Sequence, residues 1–349
     1  MVTHAESKLA APGQSRPGLS RDQVESTAQA YVAHFDRAEG ESVADRYATI
    51  TTQYYDLVTD FYEFGWGKAF HFASRRPGER FDLALARHES YLADHLGLCR
   101  GMHAVDLGCG VGGPMRHIAK TTGARVTGVN ISGYQVEKGR KYNAKQGLEG
   151  QCTILQADFL NIPVPNATFD AAYAIEATCH APTKQSIYGE AARVLKPGGG
   201  FAFYEWCMTP KYDKNDPEHR RLKLLIERGN GIADLATFDD VTSALREVGF
   251  DVVAARDLAD GSLPGIPWHA DLDVESAYSS GFSLRALPRT PIGRTVTNAA
   301  TGLMERVGLA PKGTRLVSSF LNDGADALVR AGKLGIFTPM YFVHAKKRA

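Results

Sequence analysis

The stretch "VDLGCGVGGP", residues 105–114, carries the strongest fold signal in the chain. Apolar residues lead into closely spaced glycines, a pattern typical of a buried strand that turns tightly into a helix. Glycine is needed in such a turn because it adopts positive φ and lets a ligand approach the backbone. The glycines at 108, 110 and 113 also satisfy G-x-G-x-x-G, a pattern that is weak evidence by itself.

Two neighbouring residues argue against a dinucleotide in this turn. Asp106 directly precedes the glycines, where its carboxylate would repel a pyrophosphate and attract an amino group. The acid expected about 20 residues further on for the ribose hydroxyls of NAD is replaced by Asn130. We therefore expect a ligand that carries an ammonium group and no phosphate.

Short strands alternate with helices from about residue 102 onward, which predicts a doubly wound parallel sheet. The predicted strands are "MHAVDLG", "ARVTGVN", "CTILQAD", "FDAAYAIEA", "GGFAFYEWC" and "FDVVAARDL". The predicted helices between them are 113–122, 132–147 and 237–249.

The rest of the chain divides around this α/β region. Apolar residues at helical spacing predict an all-helical front section, and two further amphipathic helices interrupt the alternation near the end. We expect a disordered lead-in at 1–19, front helices at 20–97, the ligand-binding α/β domain at 98–260, a helical cap at 261–334, and a last strand at 335–349 that returns to the sheet.

Composition excludes several classes of function. Lys plus Arg number 40 and Asp plus Glu number 39, so the charge gives no reason to expect nucleic acid. The five cysteines are scattered and never in CxxC spacing, which indicates a reducing compartment and no metal. No apolar run reaches the ~20 residues that span a bilayer, and the N-terminus lacks the features of a secretory signal. A cytoplasmic protein is expected; peripheral membrane contact and homo-oligomerisation stay open.

The segment "FYEFGWGKAFHF", residues 61–72, holds seven aromatic rings, His71 included. Such a segment is either a well-packed core or the wall of a pocket for a compound that is both apolar and briefly cationic.

The glycine turn resembles the first motif of class I S-adenosylmethionine (SAM) methyltransferases, and "RVLKPGGG" at 193–200 resembles the turn before their fifth strand. The resemblance implies a Rossmann-like fold with SAM as the cofactor. It also implies roles for Asn130 at the ribose and for Asp158 and Phe159 at the adenine. The complete set of implied cofactor residues is Asp106, Gly108, Cys109, Gly110, Asn130, Gln135, Asp158, Phe159 and Glu176.

A closer resemblance covers about residue 45 to the end. The stretches "YEFGWGKAFHF", "ARHESYLADHLGL", "YAIEATCHAP", "YEWCMTPKYDKNDPEHR", "DLADGSLPGIPW" and "GKLGIFTPM" are similar, in this order, to those of sterol 24-C-methyltransferases. The resemblance implies methyl transfer to C24 of a sterol side-chain double bond, with a C25 carbocation, a hydride shift and loss of a proton.

That reaction sets three requirements. A weakly nucleophilic alkene must be held in line at about 3–3.5 Å from the methyl carbon. The cation must be stabilised with water excluded, which aromatic faces achieve because they attract a cation without adding to it. A base must stand near the last proton.

The residues that the resemblance assigns to these tasks lie in the family-like motifs. The candidates for substrate binding are Phe64, Trp66, Phe70, Phe72, Tyr204 and Trp206, with Tyr62 as the preferred cation-facing ring. The candidates for catalysis are Tyr62, Glu63, His71, Glu176, His180 and Glu205. Which of His71, His180, Glu176 or Glu205 is the base stays open.

Three functions compete at this point. The first is C24 methylation of a sterol such as cycloartenol, lanosterol, zymosterol or desmosterol. The second is SAM-dependent methylation of another prenyl lipid or a phenolic acceptor of the tocopherol type. The third is a sterol-binding protein that keeps a SAM site without turnover, which the intact Asp106 turn disfavours.

Overall fold

A computed structural model of the chain describes residues 18–36, 44–261, 265–273 and 290–349. Most of the expected disordered lead-in, residues 1–17, lies outside the described residues, as do parts of the expected cap.

Helices occupy the front section, both faces of the sheet and the cap. They are α1 (Gln23–Ala33), α2 (Tyr47–Gly65), α3 (Phe81–His95), α4 (Gly113–Thr122), α5 (Gly133–Lys145), α6 (Lys184–Val194), α7 (Pro217–Asn230), α8 (Phe238–Glu247), α9 (Pro291–Arg306) and α10 (Thr314–Leu334). Short 3-10 helices lie at Ala44–Arg46, Thr178–His180 and Trp268–Leu272.

The strands are β1 (His103–Leu107), β2 (Arg125–Asn130), β3 (Cys152–Gln156), β4 (Phe169–Ile175), β5 (Leu195–Met208), β6 (Ala236–Thr237), β7 (Phe250–Asp257) and β8 (Phe337–Lys347). They form one sheet in the order β3-β2-β1-β4-β5-β8-β7, with β6 paired to β5. The predicted doubly wound architecture is confirmed.

The sheet is mixed rather than wholly parallel, which corrects the sequence prediction. β8 runs antiparallel to both β5 and β7. The antiparallel direction arises because the chain enters β8 beside the carboxyl end of β5. There Thr209 N donates to Ile336 O at 2.9 Å, and Phe337 pairs with Met208. A strand that starts at this edge has to run back across the sheet.

Helices bury both faces of the sheet. On one face α6 and α8 pack against the strands through residues such as Ile187, Tyr188 and Leu245. On the other face α3, α4 and α5 contribute residues such as Leu92 and Ile118. Burial of each such side chain stabilises the fold by about 1.5–3 kcal/mol.

The front helices and the cap pack against each other beyond the carboxyl edge of the sheet. Tyr31 of α1, Tyr54 of α2 and Phe320 of α10 share one hydrophobic cluster. A second cluster joins α7 and α10 to Trp206 at the end of β5. These contacts place a layer of helices over the carboxyl edge of the sheet, the edge at which doubly wound folds bind ligands.

Two glycines set the distance between α7 and α10. A Cβ on Gly324 would lie 2.8 Å from the Cα of Gly229, and a Cβ on Gly229 would lie 2.5 Å from the Cα of Gly324. The contact is backbone to backbone, so neither helix can give way through a side chain.

We predict that Gly324→Ala lowers the free energy of unfolding by about 1–3 kcal/mol, because the added methyl forces α7 and α10 apart. The matched control is Gly189→Ala in α6, where the nearest atom to the new Cβ is 4.0 Å away. That control should be neutral or gain up to about 1 kcal/mol from helix propensity. Denaturant unfolding measures both; equal effects of the two substitutions would contradict the close-contact account.

Candidate active site

The glycine turn after β1 forms the floor of the first of two pockets. Gly108, Gly110 and Gly112 have φ of 82°, 55° and 76°, which is left-handed backbone that favours glycine. The turn is held to β2 because the amides of Gly108 and Cys109 both donate to Val129 O, at 2.9 and 3.1 Å. A Cβ on Gly108 would lie 2.5 Å from the Cβ of Ala177, so glycine is also required there for space.

The first pocket, here called the cofactor pocket, has an empty volume of about 680 Å³. It lies between the glycine turn, the ends of β2 and β4, and helix α2. Eight of the nine predicted cofactor residues line it: Asp106, Gly108, Cys109, Gly110, Asn130, Gln135, Phe159 and Glu176.

Asp106 is the clearest sign of a cationic ligand in this pocket. The side chain is buried, and burial raises the pKa of its carboxyl to about 7. Its Oδ2 is buried and accepts no hydrogen bond within the described part of the chain. A buried carboxylate oxygen without a donor is costly, and an ammonium group of a ligand would satisfy it. The residues present therefore fit the amino acid portion of SAM.

Asn130 braces the turn. Its Nδ2 donates to Gly110 O at 3.0 Å and to Gln135 Oε1 at 2.7 Å, while its Oδ1 accepts from Ser132 N at 3.3 Å. Asp158 is the predicted cofactor residue that does not line the pocket. Its carboxylate accepts a hydrogen bond from the hydroxyl of Tyr47 instead.

The second pocket, here called the aromatic pocket, has an empty volume of about 1130 Å³. It is bounded by α2, the segment that follows α2, the end of β5, α7 and the cap. Eight predicted residues supply rings to its wall: Tyr62, Phe64, Trp66, Phe70, His71, Phe72, His180 and Trp206. Trp66 lies edge-on to Tyr62 and Phe72, with ring centroids 6.0 and 6.1 Å apart. Phe64 is 69% exposed and marks the open side.

The two pockets share a wall. The side chains that line both are Tyr55, Phe70, His71, Glu176 and His180. A ligand in one pocket therefore meets a ligand in the other at this wall.

Glu176 is the anchor of the shared wall. It follows β4 with φ of 53°, a left-handed backbone that is uncommon for glutamate and marks a strained position. One carboxylate oxygen accepts Phe72 N at 2.7 Å and the other accepts Trp206 Nε1 at 2.8 Å. Burial raises the pKa of Glu176 to about 7.

His71 is held by two acceptors. Its Nδ1 lies 2.9 Å from Phe72 O and its Nε2 lies 3.0 Å from Glu89 Oε1. Burial opposes the charge of the ring, but the hydrogen bond and charge of Glu89 outweigh it and raise the pKa of His71. Both nitrogens thus act as donors in the imidazolium form.

His180 is neutral, in contrast to the charged ring of His71. Its Nδ1 lies 3.0 Å from Gly231 O and its Nε2 lies 2.8 Å from the hydroxyl of Tyr55. Burial lowers the pKa of His180 to about 4, so the ring is neutral near neutral pH.

Besides Asp158, three predicted site residues lie outside both pockets. Glu63 binds Lys138 and Tyr142 on α5. Tyr204 stacks on His88 with centroids 3.6 Å apart and donates to its carbonyl. Glu205 is fully buried and accepts the hydroxyls of Thr178 and Tyr188, with Lys184 at 3.3 Å.

Sequence reasoning missed Tyr55 of α2 and the polar residues that the cap contributes to the aromatic pocket. Tyr55 directly follows the buried Tyr54, in the pair "YY" at 54–55. This pair was the only sign in the sequence that α2 presents a second tyrosine to a different neighbour. Helices α9 and α10 contribute Arg294, Ser318 and Asn322. These cap residues stand in no family-like motif identified in the sequence.

No helix among the described residues combines the length and apolar character needed to cross a bilayer. No cluster of three or more His, Cys, Asp or Glu side chains in this part of the chain could hold a metal ion.

The fold and the cofactor pocket define a class I SAM-dependent methyltransferase. Residues 105–203 match the family model described as a methyltransferase domain. The solved structure of the mycolic acid cyclopropane synthase CmaA1, complexed with SAH and CTAB, is similar with a TM-score of 0.67. That alignment covers 86% of this chain and 98% of the synthase at 17% identity, so it shows the fold alone.

Full-length relatives narrow the class to a family. The chain is 44% identical to the sterol 24-C-methyltransferase erg-4 of Neurospora crassa, over 99% of this chain and 94% of the relative. It is also 44% identical to the cycloartenol-C-24-methyltransferase 1 of Oryza sativa subsp. japonica, over 94% of each chain. Residues 284–348 match the model described as sterol methyltransferase C-terminal. The chain belongs to the sterol 24-C-methyltransferase family, and the predicted family and cofactor are confirmed.

The raised pKa of Asp106 predicts how SAM affinity depends on pH. Only the carboxylate attracts an ammonium group, so affinity should fall as pH drops through about 7, approaching tenfold per pH unit. Asp106→Asn should weaken SAM binding by about 2–3 kcal/mol and abolish this slope. Calorimetric titration between about pH 5.5 and 7 keeps most of the α-amino group charged. An unchanged slope in Asp106→Asn would assign the titration to another group.

Proposed function

We propose that this chain transfers the methyl group of SAM to C24 of a sterol side chain that carries a Δ24 double bond. Attack by the alkene leaves a tertiary cation at C25; a hydride then shifts and a proton is lost. When bound, SAM supplies a methyl group activated by its sulfonium. The chain's own residues supply position, a dry environment, cation stabilisation and a route for the proton.

The observation that carries this proposal is the shared wall between the two pockets. The wall allows an apolar substrate in the aromatic pocket to reach a cofactor in the neighbouring pocket. About 1130 Å³ of empty space, including the open side, is ample for a rigid ring system with its side chain.

Aromatic faces near the wall support a cationic intermediate. Phe70 lies on the wall itself, and its ring centroid is 5.4 Å from that of Tyr62. Trp66, Phe72 and Trp206 line the same pocket. A ring within about 6 Å of a cation stabilises it by roughly 0.5–2 kcal/mol, with the larger values in dry surroundings.

Two polar groups of the aromatic pocket, the Tyr62 hydroxyl and the Cys179 thiol, are restrained from trapping the cation. The hydroxyl of Tyr54 donates to Gly229 O at 2.9 Å, so the Tyr62 hydroxyl, 2.5 Å away, donates to Tyr54. Burial raises the pKa of Tyr62 to about 12, so phenolate does not form at neutral pH. Burial likewise raises the pKa of the Cys179 thiol, which disfavours the nucleophilic thiolate.

Glu176 contributes charge as well as structure to this proposal. Its carboxylate lies on the wall, where positive charge passes from cofactor to substrate. Hydrogen bonds from Phe72 N and Trp206 Nε1 stabilise the ionised form and fix its direction.

The test is transfer of labelled methyl from SAM to a panel of sterols. We expect a product whose mass is one methylene higher than a Δ24 sterol such as cycloartenol, lanosterol, zymosterol or desmosterol, and no product from the saturated side chain. Phenolic prenyl acceptors serve as the comparison. Transfer only to the phenols would overturn the proposed acceptor, and sterol binding without transfer would overturn the proposed activity.

A second measurement separates cation stabilisation from substrate binding. We predict that Trp66→Leu lowers the single-turnover methylation rate by about 2- to 30-fold, the equivalent of one cation–π contact, and weakens sterol binding by less. Tyr204→Phe is the control, since Tyr204 lies outside both pockets. It should leave the products unchanged. Equal losses of rate and binding in Trp66→Leu would reduce this ring to a packing role.

A further inference from the structure

We propose that the Tyr55 hydroxyl removes the proton that ends the reaction and passes its own proton to His180. This inference rests on the proposed function and names the base that the reaction needs. In this scheme Tyr55 is a catalytic residue, and His180 is the proton acceptor behind it.

Hydrogen-bond geometry gives the pair a defined direction. The carbonyl of Gly231, 3.0 Å from His180 Nδ1, can only accept, so Nδ1 carries a hydrogen. A neutral ring then has its lone pair on Nε2, which lies 2.8 Å from the Tyr55 hydroxyl. Tyr55 therefore donates to His180, and its oxygen keeps lone pairs that can receive a proton.

Both residues stand where the proton is lost. Tyr55 comes from α2 and His180 from the short helix after β4, and each lines both pockets. The reacting carbons of the substrate have to approach this wall to meet the cofactor. The wall, rather than the far end of the aromatic pocket, is thus the place where a base is needed.

The other predicted bases differ from this pair in hydrogen bonding or in position. His71 uses both nitrogens as donors, to Phe72 O and to Glu89, and cannot take up another proton. Glu205 lies outside both pockets. Glu176 also reaches the wall, where Phe72 N and Trp206 Nε1 hold its two oxygens, so the Glu176→Gln variant serves below as the direct comparison.

The step balances without a further reactant. The C–H bond beside the cationic carbon breaks, and its electron pair becomes the second bond of the new alkene. The proton goes to Tyr55 Oη, while the original hydroxyl proton moves to His180 Nε2. The product is an alkene, a neutral tyrosine and an imidazolium whose two N–H groups face Tyr55 and Gly231 O.

The energetics suit a weak base. A C–H bond beside a carbocation is a far stronger acid than an imidazolium, so the transfer runs downhill even to a buried histidine. The low pKa of His180, about 4, then favours release of the proton to solvent before the next cycle. A neutral relay also places no additional anion beside the cation.

The test is Tyr55→Phe, which keeps the ring and removes only the hydroxyl. Wild-type protein is first shown to convert a Δ24 sterol, so failure of the proposed function is seen separately. In single turnover with saturating SAM, we expect normal alkene formation to fall about 100-fold, within the usual range for a general base. Methylated alcohols or displaced alkenes should appear in its place, as water or another group intercepts the cation.

His180→Gln should give the same diversion of products, and the double variant should be no worse than either single variant, since both remove one relay. The matched control is Tyr31→Phe, which deletes another buried hydroxyl that donates to α7, at Arg228 O. This control should give the normal product ratio. Melting temperature and SAM affinity show whether each variant is folded. If Tyr55→Phe does not fold, the products of His180→Gln alone decide whether the relay exists.

Two results would overturn the proposal. The first is a Tyr55→Phe variant that forms the normal alkene at a rate within twofold of wild type, while Glu176→Gln gives the methylated alcohols or displaced alkenes instead. The second is a double variant whose loss is the product of the two single losses, because independent groups multiply and members of one relay do not.

Discussion

The carboxylate of Glu176 is the contact on which the site depends. A buried carboxylate requires donors, and this one takes them from Phe72 N and from Trp206 Nε1. The first belongs to the segment after α2 and the second to the end of β5, so one side chain at the end of β4 joins three parts of the chain. Its left-handed backbone shows that the turn is held against its intrinsic preference. The aromatic pocket is thereby fixed against the cofactor pocket.

The fold places chemistry of opposite character on either side of this contact. On one side the glycine turn and Asp106 offer backbone groups and a buried negative charge, which suit a charged nucleotide-like ligand. On the other side the front helices and the cap supply rings and aliphatic side chains. The sheet alone would leave that second side open to water. The additional helices in this family member enclose the space where, in our proposal, a carbon cation forms.

Local sequence signals predicted the parts of the fold that short-range rules control. The glycine turn and helix α4 lie where the pattern placed them, and α5 begins within one residue of its predicted start, because turn and cap chemistry is local. The antiparallel direction of β8 was not predicted, because it depends on where α10 ends relative to the sheet. Tyr204 and Trp206 were both assigned to the substrate because they lie in one family-like motif, yet only Trp206 lines a pocket, while Tyr204 contacts α3. The partners of Glu63 and Tyr55, and the Glu89 carboxylate beside His71, come from other elements of the fold, which no local pattern reveals.

The most direct test of this account is a structure with S-adenosylhomocysteine and a sterol in which a protonated nitrogen replaces C25. That nitrogen has the charge and place of the proposed cation. We expect it at the shared wall, within about 6 Å of the ring centroid of Phe70, Tyr62 or Trp66. A nitrogen directed toward the open side near Phe64, with those rings packed only against protein, would contradict the central claim.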